Sequence, residues 1–492
     1  MVFSMNATSL ARRSGWGLYL FSAFLGACSS VPTGGTDQPK VDAGPNDPKV
    51  VVLHFSDLHG QLRGGAQGGG YARLAAYVRQ AQREAGPKTD VLVLFGGDLV
   101  GKTAMPCRQT KESACAPLLA RIAGDLPVYA VLGNHELDRP AAEMDAILNA
   151  SGATWLGGAV SGSASPKLVE SVEWTGAKSG ARLTLAGWTR GEAGKGLKLR
   201  GTATAAALEK MAPAGASHPV LWLTHQPWED DVAFASLACA RTGRANLALL
   251  KGDDHKVRQE ALGCLKVFEP GPFGEHVTRL EWRIEANGKW TALREEVVPL
   301  GPTAPKDESL DAEIVALYAK HAPQATEVVA QVAEAKDAEG VMDWLADAYR
   351  GVTRADVAIV NSGAVKAGFA AGPLERERLL LTIPYNNDIH GLDWPMRDLE
   401  QALCRAALRP KDPITDHGSE LHLSGARLVA VGQPDCRLEG PRRASLKVAV
   451  DSYVLGKSAA WLGKDLRGKT FRFQVSTEQA MTRYLKLKGG RL

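Results

Sequence analysis

Five short apolar stretches of this sequence are each followed by acidic, amide or imidazole side chains. The stretches begin at Val50, Val91, Val128, Val220 and Leu247. The side chains that follow them are, in chain order, Asp57, His59, Asp98, Asn134, His225, Asp253 and His255. Any one of these residues alone is more often a turn former or a helix cap than a metal ligand. Together they predict one metal site, because the carboxyl ends of parallel strands lie along one edge of an α/β sheet.

The mixture of ligand types predicts two divalent metals that share a bridging carboxylate. Asp98 follows Gly96 and Gly97 and is the candidate bridge. We expect one metal to be held by Asp57, His59 and His255. We expect the other to be held by Asn134, His225 and Asp253. A metal pair of this kind activates a water for in-line attack on phosphorus and neutralises charge on the phosphoryl oxygens.

His135 follows the ligand Asn134 but need not bind metal itself. Asp138 lies three residues further on and can orient the imidazole. The two residues are therefore placed to protonate the leaving oxygen or to stabilise the transition state. Four other histidines are expected to be structural or exposed, namely His54, His218, His321 and His417.

The elements that must position these residues are predicted by the apolar spacing. From Tyr71 to Gln82 apolar residues recur at helical intervals, and Gly86 and Pro87 then end the pattern. With the strands on either side, this helix forms a βαβ unit. Further elements are expected as helices at 118–123 and 141–148, and as half-exposed strands at 182–188 and 277–284.

The length of 492 residues predicts two domains, since a single core rarely grows so large. The content of 45% hydrophobic and 23% charged residues is that of a soluble globular protein. We expect the first domain at 49–300, a linker and connecting helix at 301–335, and a second α/β domain at 336–492. The formal charge of +4 includes no basic block, which argues against nucleic acid as a partner.

The connection between the two domains is predicted to be mainly helical. Residues 311–335 are interpreted as one long amphipathic helix that is interrupted by Pro323. Its apolar stripe is expected at Ile314, Leu317 and Tyr318.

The amino end has the pattern of an export signal. Arg12 and Arg13 precede a short apolar core, and residues 25–28 read Leu-Gly-Ala-Cys. This ending resembles the lipobox of bacterial lipoproteins, which implies a signal peptide at 1–27, a lipid on Cys28 and a flexible tether at 28–48. The protein is then extracytoplasmic and anchored to a membrane through Cys28, in the periplasm or at the outer membrane. The alternative is an ordinary cleaved secretory signal.

The other six cysteines are an even number in a compartment that permits disulfides. Short loops favour one of the fifteen pairings that six cysteines allow. It joins Cys107 with Cys115, Cys239 with Cys264, and Cys404 with Cys436. The alternative is a set of buried free thiols.

Taken in order, the motifs resemble those of the calcineurin-like metallophosphatases. They are Asp57-x-His59, Gly96-Gly97-Asp98, Gly133-Asn134-His135-Glu136, Thr224-His225 and Gly252-Asp253-Asp254-His255. The stretch from Gly69 to Leu74 and the Pro-Tyr-Asn-Asn of the second domain are similar to the 5′-nucleotidase branch. The resemblance implies an α/β (α+β) fold, with a four-layer β-sandwich flanked by helices and a smaller C-terminal α/β substrate domain. It also implies two divalent metal ions (Mn, Zn or Mg), and we expect a monomer.

The resemblance further implies substrate-binding residues in the second domain. They are Asn361, Lys366, Tyr385, Asn387 and Tyr453. Tyr385 and Tyr453 match the two aromatic positions between which that family stacks a base. Lys366 replaces an arginine of the family, so it keeps the charge but loses the two-pronged grip on phosphate. The family's carboxylate for the ribose hydroxyls, shortly after Tyr453, is missing here.

The expected function is therefore metal-dependent hydrolysis of nucleotides or related phosphate esters outside the cytoplasm. Asp253 replaces a histidine of the family, which favours Mn²⁺ or Mg²⁺ over Zn²⁺ at that position. One alternative keeps the metal chemistry on a sugar phosphate, a cyclic nucleotide or another ester. A second alternative is a binding lipoprotein whose catalytic site has decayed, as Asp253 and Ala364 would allow.

Overall fold

The computed structural model describes residues 47–65, 68–101, 104–213, 218–241, 245–408, 420–431 and 436–492. The predicted signal peptide at 1–27, the lipidation site Cys28, nearly all of the tether at 28–48 and His417 lie outside the described residues. Within those ranges, no helix combines the length and the apolar character that crossing a membrane requires.

Two large β-sheets are formed by residues 49–299. Their strands and one small pair are β1 (Lys49–Phe55), β2 (Thr89–Phe95), β3 (Val128–Val131), β4 (Thr154–Leu156), β5 (Val160–Ser161), β6 (Leu168–Val169), β7 (Ser171–Thr175), β8 (Arg182–Thr189), β9 (Lys198–Leu199), β10 (Val220–His225), β11 (Asn246–Gly252), β12 (Val257–Leu262), β13 (Leu265–Pro270), β14 (His276–Ile284) and β15 (Trp290–Pro299). One sheet has the order β15-β14-β1-β2-β3-β4-β6 and the other β12-β13-β11-β10-β8-β7, while β5 pairs with β9.

Helices connect these strands and cover the outer faces of the sheets. They are α1 (Tyr71–Glu84), α2 (Met105–Gln109), α3 (Leu118–Ala123), α4 (Asn134–Leu137), α5 (Ala141–Ala150), α6 (Ala205–Met211) and α7 (Trp228–Ala240). The helices predicted at 71–82, 118–123 and 141–148 are thus confirmed. The predicted βαβ unit is also present, since β1 pairs parallel to β2 across α1.

The strands of both sheets are apolar on both sides, so each sheet buries its inner face by packing against the other. Val50 and Val52 of β1 lie in one buried cluster with Leu183 and Leu185 of β8, between the sheets. Their neighbours along each strand, such as Trp188, belong to other buried clusters on the outer faces. The result is the four-layer sandwich that was predicted. The prediction that β8 is half-exposed is wrong, because the helices cover its outer face as well.

The second part of the chain builds a smaller sheet. Its elements are β16 (Val328–Val332), β17 (Val357–Asn361), β18 (Gly372–Glu375), β19 (Asp388–Pro395), β20 (Leu421–Ser424), β21 (Arg427–Val429), β22 (Arg437–Glu439), β23 (Ser445–Asp451) and β24 (Phe471–Ser476), with α9 (Ala338–Thr353), α10 (Arg376–Thr382), α11 (Met396–Leu408), α12 (Ser452–Leu462) and α13 (Thr477–Leu487). The sheet has the order β20-β17-β23-β19-β24. It forms an α/β unit, as predicted.

The connecting segment is interrupted at Pro323 as predicted, but the prediction that the helix over 311–335 resumes after it is wrong. The helix α8 (Glu308–His321), which we name the connecting helix, is followed by a 3₁₀ turn at Pro323–Thr326. Proline at that point lacks a backbone N–H, so the helix cannot continue through it. The chain then enters β16, which pairs antiparallel with β18. That pairing partner is about forty residues away in the sequence and gives no local signal.

The register of the strands brings the polar strand ends together. Phe55 at the end of β1 pairs with Phe95 at the end of β2, and Phe95 continues the ladder into Ala130 of β3. In the other sheet His225 pairs with Gly252. All of these pairings are parallel, so the segments after the strands emerge at the same edge.

Three disulfides join the six cysteines of the described residues in the predicted pattern. The bonds are Cys107–Cys115, Cys239–Cys264 and Cys404–Cys436. The first closes a short loop around α2, next to the carboxyl edge of the first sheet.

Candidate metal centre and active site

The backbone at the strand ends is held in an unusual conformation. Positive φ angles occur at Asp57 (51°), His59 (46°), Asp98 (57°), Asp253 (97°) and His255 (57°). Only a few per cent of non-glycine residues adopt such angles, which cost of order 1–3 kcal/mol each and concentrate at functional sites. Five predicted ligands therefore share the same strained conformation.

The first predicted ligand group converges on one point. The Nε2 atoms of His59 and His255 are 2.8 Å apart. Oδ1 of Asp57 lies 3.5 Å from the His255 Nε2 and 3.9 Å from the His59 Nε2. Two imidazole nitrogens and a carboxylate oxygen at these distances form a donor set that suits a divalent cation.

The second predicted group surrounds His225. Its Nε2 lies 3.1 Å from Oδ1 of Asn134, 3.4 Å from Oδ2 of Asp98 and 3.6 Å from Oδ1 of Asp253. The same Oδ2 of Asp98 is 3.8 Å from the Nε2 of His59 in the first group. One carboxylate oxygen thus faces both ligand groups, which is the position of a bridge.

Backbone carbonyls set the tautomer of two of these histidines. Nδ1 of His225 donates to the carbonyl of Gly96 at 2.7 Å, and Nδ1 of His59 is 3.3 Å from the carbonyl of Val100. Since a carbonyl only accepts, each ring carries a proton on Nδ1, and Nε2 is the atom that faces the carboxylates and would bind a metal.

The pKa shifts in the cluster indicate that its buried carboxylates have too little positive charge around them. Burial opposes ionisation of Asp98, but His225 and His59 outweigh it and hold the pKa of Asp98 below its usual value. Burial alone would lower the pKa of His225, yet Asp98 and Asp57 raise it well above its usual value. Burial also raises the pKa of Asp253. The protein alone balances these buried carboxylates only by protonating histidine.

The residues therefore fit a pair of divalent cations. Asp57, Asp98 and His225 are fully or almost fully buried and would otherwise be a costly set of charges. Metal ions bound here would supply Lewis acidity and lower the pKa of a coordinated water. The protein itself contributes fixed ligand positions, because the strained loops and the backbone hydrogen bonds leave little freedom.

His135 and Asp138 form the predicted pair at the rim of this centre. Nδ1 of His135 is 3.1 Å from Oδ2 of Asp138, and the two side chains are 28% and 50% exposed. The backbone N–H of His135 donates to Oδ1 of Asp98 at 2.9 Å, which ties the pair to the candidate bridge. The imidazole is therefore oriented by a carboxylate and open to a substrate.

Of the other histidines, His54 is fully buried, and burial lowers its pKa to about 3, so it is neutral. His218 pairs with Glu173. Neither belongs to a candidate metal group in the described part of the chain, nor does His321. Their structural or exposed role stays a prediction.

The five predicted substrate residues line a single cavity of about 250 Å³ in the second α/β unit. They are Asn361, Lys366, Tyr385, Asn387 and Tyr453. The Nζ of Lys366 is 5.5 Å from the ring centre of Tyr385. No carboxylate lines this cavity among the described residues. The predicted substrate residues thus lie together in a cavity whose lining contains none of the candidate metal ligands.

Two family profiles match the chain. The profile of calcineurin-like phosphoesterases matches residues 50–188, and that of the 5′-nucleotidase C-terminal domain matches residues 317–433. The chain belongs to the 5′-nucleotidase branch of the calcineurin-like phosphoesterases. The first profile covers the segments that carry Asp57, His59, Asp98 and Asn134, whereas His225, Asp253 and His255 lie beyond it.

Solved structures with this fold cover nearly the whole chain. The 5′-nucleotidase precursor of Thermus thermophilus is 17% identical with a TM-score of 0.68, covering 90% of this chain and 97% of its own. The 5′-nucleotidase of Candida albicans is 11% identical with a TM-score of 0.67, covering 88% and 97%. The sulfate thiohydrolase SoxB of Thermus thermophilus is 16% identical with a TM-score of 0.66, covering 90% and 94%. At these identities the likeness establishes the fold. No curated protein sequence matches the chain.

Glu136 is fully buried, and the sequence did not predict a role for it. Its carboxylate accepts the backbone N–H groups of Gly133 at 2.8 Å, Asp98 at 3.0 Å and Val100 at 3.1 Å. Burial and the nearby Asp98 raise the pKa of Glu136 to about 7. Glu136 thus holds together the two loops that carry Asp98 and Asn134. Its place inside the Gly-Asn-His-Glu motif was the only available signal.

Glu136→Gln is expected to lower the free energy of unfolding by about 2–3 kcal/mol, because an amide nitrogen would replace an acceptor oxygen against backbone N–H donors. The measurement is urea unfolding followed by circular dichroism. The matched control is Glu143→Gln on the exposed face of α5, which should change stability little. An equal effect of the two substitutions would contradict the role of Glu136 as a clamp.

A second unpredicted feature supports the loop that carries Asp253 and His255. Lys251 is fully buried, and its Nζ lies 3.1 Å from Asp254, 3.5 Å from Asp231 and 3.7 Å from Glu269. Arg258 also pairs with Asp254 at 3.0 Å and with Glu269 at 3.3 Å. This network of two cations and three carboxylates lies directly beside the ligand loop. We name it the buried ion network.

Proposed function

We propose that this protein is an extracytoplasmic, metal-dependent phosphoesterase that hydrolyses nucleotides or related phosphate esters. The observation that carries the proposal is the position of Asp98, whose Oδ2 faces both His59 and His225. In the proposed site Asp57, His59 and His255 hold one divalent ion. Asn134, His225 and Asp253 hold the other. The ions are Mn, Zn or Mg, and Asp98 is their common ligand.

The proposed role of His135 is to give a proton to the leaving oxygen or to stabilise charge on the phosphoryl group. Its Nδ1 contact with Asp138 leaves Nε2 free to face a substrate. The alternative of a binding lipoprotein with a decayed catalytic site is less well supported, because Asp98, His135 and Asp138 keep the positions that phosphate-ester hydrolysis would require.

The proposed substrate site is the cavity that contains Tyr385 and Tyr453. Aromatic rings can stack a nucleobase, and Lys366 can pair with a phosphate. The names of the similar 5′-nucleotidases of Thermus thermophilus and Candida albicans favour nucleotides. The second candidate is another ester, because no carboxylate lines the described cavity to bind ribose and because SoxB shares the fold.

An extracytoplasmic location is part of the proposal. Three disulfides suit an oxidising compartment. The lipid anchor at Cys28, in the periplasm or at the outer membrane, rests on the lipobox resemblance alone. We propose that the protein is a monomer and that its substrate is a small phosphate ester.

The test is phosphate release from AMP, ADP, a 2′,3′-cyclic nucleotide, a sugar phosphate and an aryl phosphate with Mn²⁺, Zn²⁺ or Mg²⁺. Tyr385→Leu and Tyr453→Leu are each expected to raise KM for AMP about tenfold, since stacking on one base contributes about 1–3 kcal/mol. The aryl phosphate should be affected less.

The matched control is Phe471→Leu, which changes an exposed aromatic residue of the same sheet outside the cavity. If AMP and ADP are both among the poorest esters, or if neither tyrosine affects the KM for AMP, the second candidate is favoured. If no ester is hydrolysed with any of the three metals, the proposed function is wrong.

A further inference from the structure

A second cavity, of about 170 Å³, lies between the sandwich and α10. Gly101 is one of its lining residues, and an added Cβ there would lie 2.6 Å from Nδ1 of His59 and 3.4 Å from Cδ2 of His135. Pro384 is another, and its sequence neighbour Tyr385 lines the proposed substrate cavity. This cavity, which we name the intermediate cavity, therefore has one lining residue beside His59 and His135 and another next in sequence to Tyr385.

Arg108 supplies a free positive charge to the intermediate cavity. It is exposed, and its guanidinium makes no hydrogen bond or ion pair with any described residue. The cavity wall also contains the carboxylate of Glu377, which already has hydrogen-bond partners. It accepts the backbone N–H of Met105 at 2.8 Å and the hydroxyl of Tyr318 at 2.5 Å.

The short helix that carries Arg108 is held firmly in place. Cys107 is fully buried and bonded to Cys115. The backbone N–H of Met105 is fixed by Glu377 of α10. Within the loop that the disulfide closes, the buried Glu112 lies 3.6 Å from Arg139. The backbone that carries Arg108 is therefore fixed, so that only its side chain has to be ordered when the guanidinium binds an anion.

We propose that Arg108 binds a second, uncleaved anionic group of the substrate, so that the enzyme prefers esters with two phosphates in series to simple monoesters. The inference rests on the proposed function. A phosphate ester at the metal centre whose organic part reaches toward Tyr385 passes the intermediate cavity. Arginine binds phosphate through two parallel hydrogen bonds. A diphosphate would place its inner phosphate there, whereas a monophosphate has no such group.

The test compares ADP with AMP, which share base and ribose. Arg108→Gln is expected to raise KM for ADP about tenfold with little change in kcat, because the contact is made equally in the ground state and the transition state. The rise in KM for AMP should be smaller, so the ratio of the two KM values is the readout. Arg108→Lys keeps the charge without the fork and should give an intermediate ratio.

The matched control is Arg83→Gln, an exposed arginine in the last turn of α1, which should leave the KM ratio unchanged. If the wild type hydrolyses both nucleotides and Arg108→Gln leaves the ratio unchanged, the inference is wrong while the proposed function stands. If the wild type hydrolyses neither nucleotide but cleaves an aryl phosphate, the nucleotide substrate and this inference both fail. No hydrolysis of any ester with any metal would overturn the proposed function as well.

Discussion

Asp98→Asn is expected to reduce metal-dependent phosphate release by more than about a hundredfold. Loss of a residue that only supports a metal ligand typically lowers metal affinity or activity by at most about a hundredfold. The reason is that Oδ2 of Asp98 faces His225 at 3.4 Å and His59 at 3.8 Å, so its charge serves both ligand groups. Asparagine keeps the shape and can keep the hydrogen bond from the backbone N–H of His135. The loss should therefore come from metal binding and chemistry, not from unfolding.

The measurements are phosphate release with an aryl phosphate and the metal content of the purified proteins. Asp125→Asn is the matched control, since Asp125 is an exposed acid in the loop after α3. It should retain full activity and full metal content. Metal-dependent activity of Asp98→Asn equal to that of the wild type would exclude this centre as the catalytic site.

Lys251→Met is expected to lower the free energy of unfolding by about 3–5 kcal/mol, because it leaves buried carboxylates without their main cation. Asp231, Asp254 and Glu269 all lie within 3.7 Å of its Nζ. Arg258 would remain paired with Asp254 and Glu269, whereas Asp231 would lose its ion pair with Lys251. The adjoining loop carries Asp253 and His255, so metal affinity should fall together with stability. Guanidinium unfolding of the wild type and the variant provides the measurement.

Lys210→Met is the matched control for this prediction. Lys210 also pairs with a carboxylate, Glu170 at 2.5 Å, but its side chain is 59% exposed. An exposed pair contributes about 1 kcal/mol or less, so the control should unfold almost like the wild type. If Lys251→Met shifts the transition no further than Lys210→Met does, the buried ion network is not a major source of stability.

The local elements could be predicted where the signal is itself local. The helix α1 begins after three glycines and ends before Gly86 and Pro87, and its spacing is that of one buried face. The prediction failed where the decisive partner is distant. Residues 328–332 form a strand because 372–375 pair with them, and β8 is buried on both faces because helices far along the chain cover it.

The sequence by itself determined the kinds of candidate ligand, their order and their position at strand ends. This was possible because the strand before each ligand and the glycines around it are local features of the chain. The tertiary structure decided which atoms meet. Examples are Glu136 on the loop of Asp98, the free charge of Arg108 beside Gly101, and the carboxylates around Lys251. These arrangements depend on sheet register and packing, in which residues tens to hundreds of positions apart come within hydrogen-bonding distance, and no local pattern records such contacts.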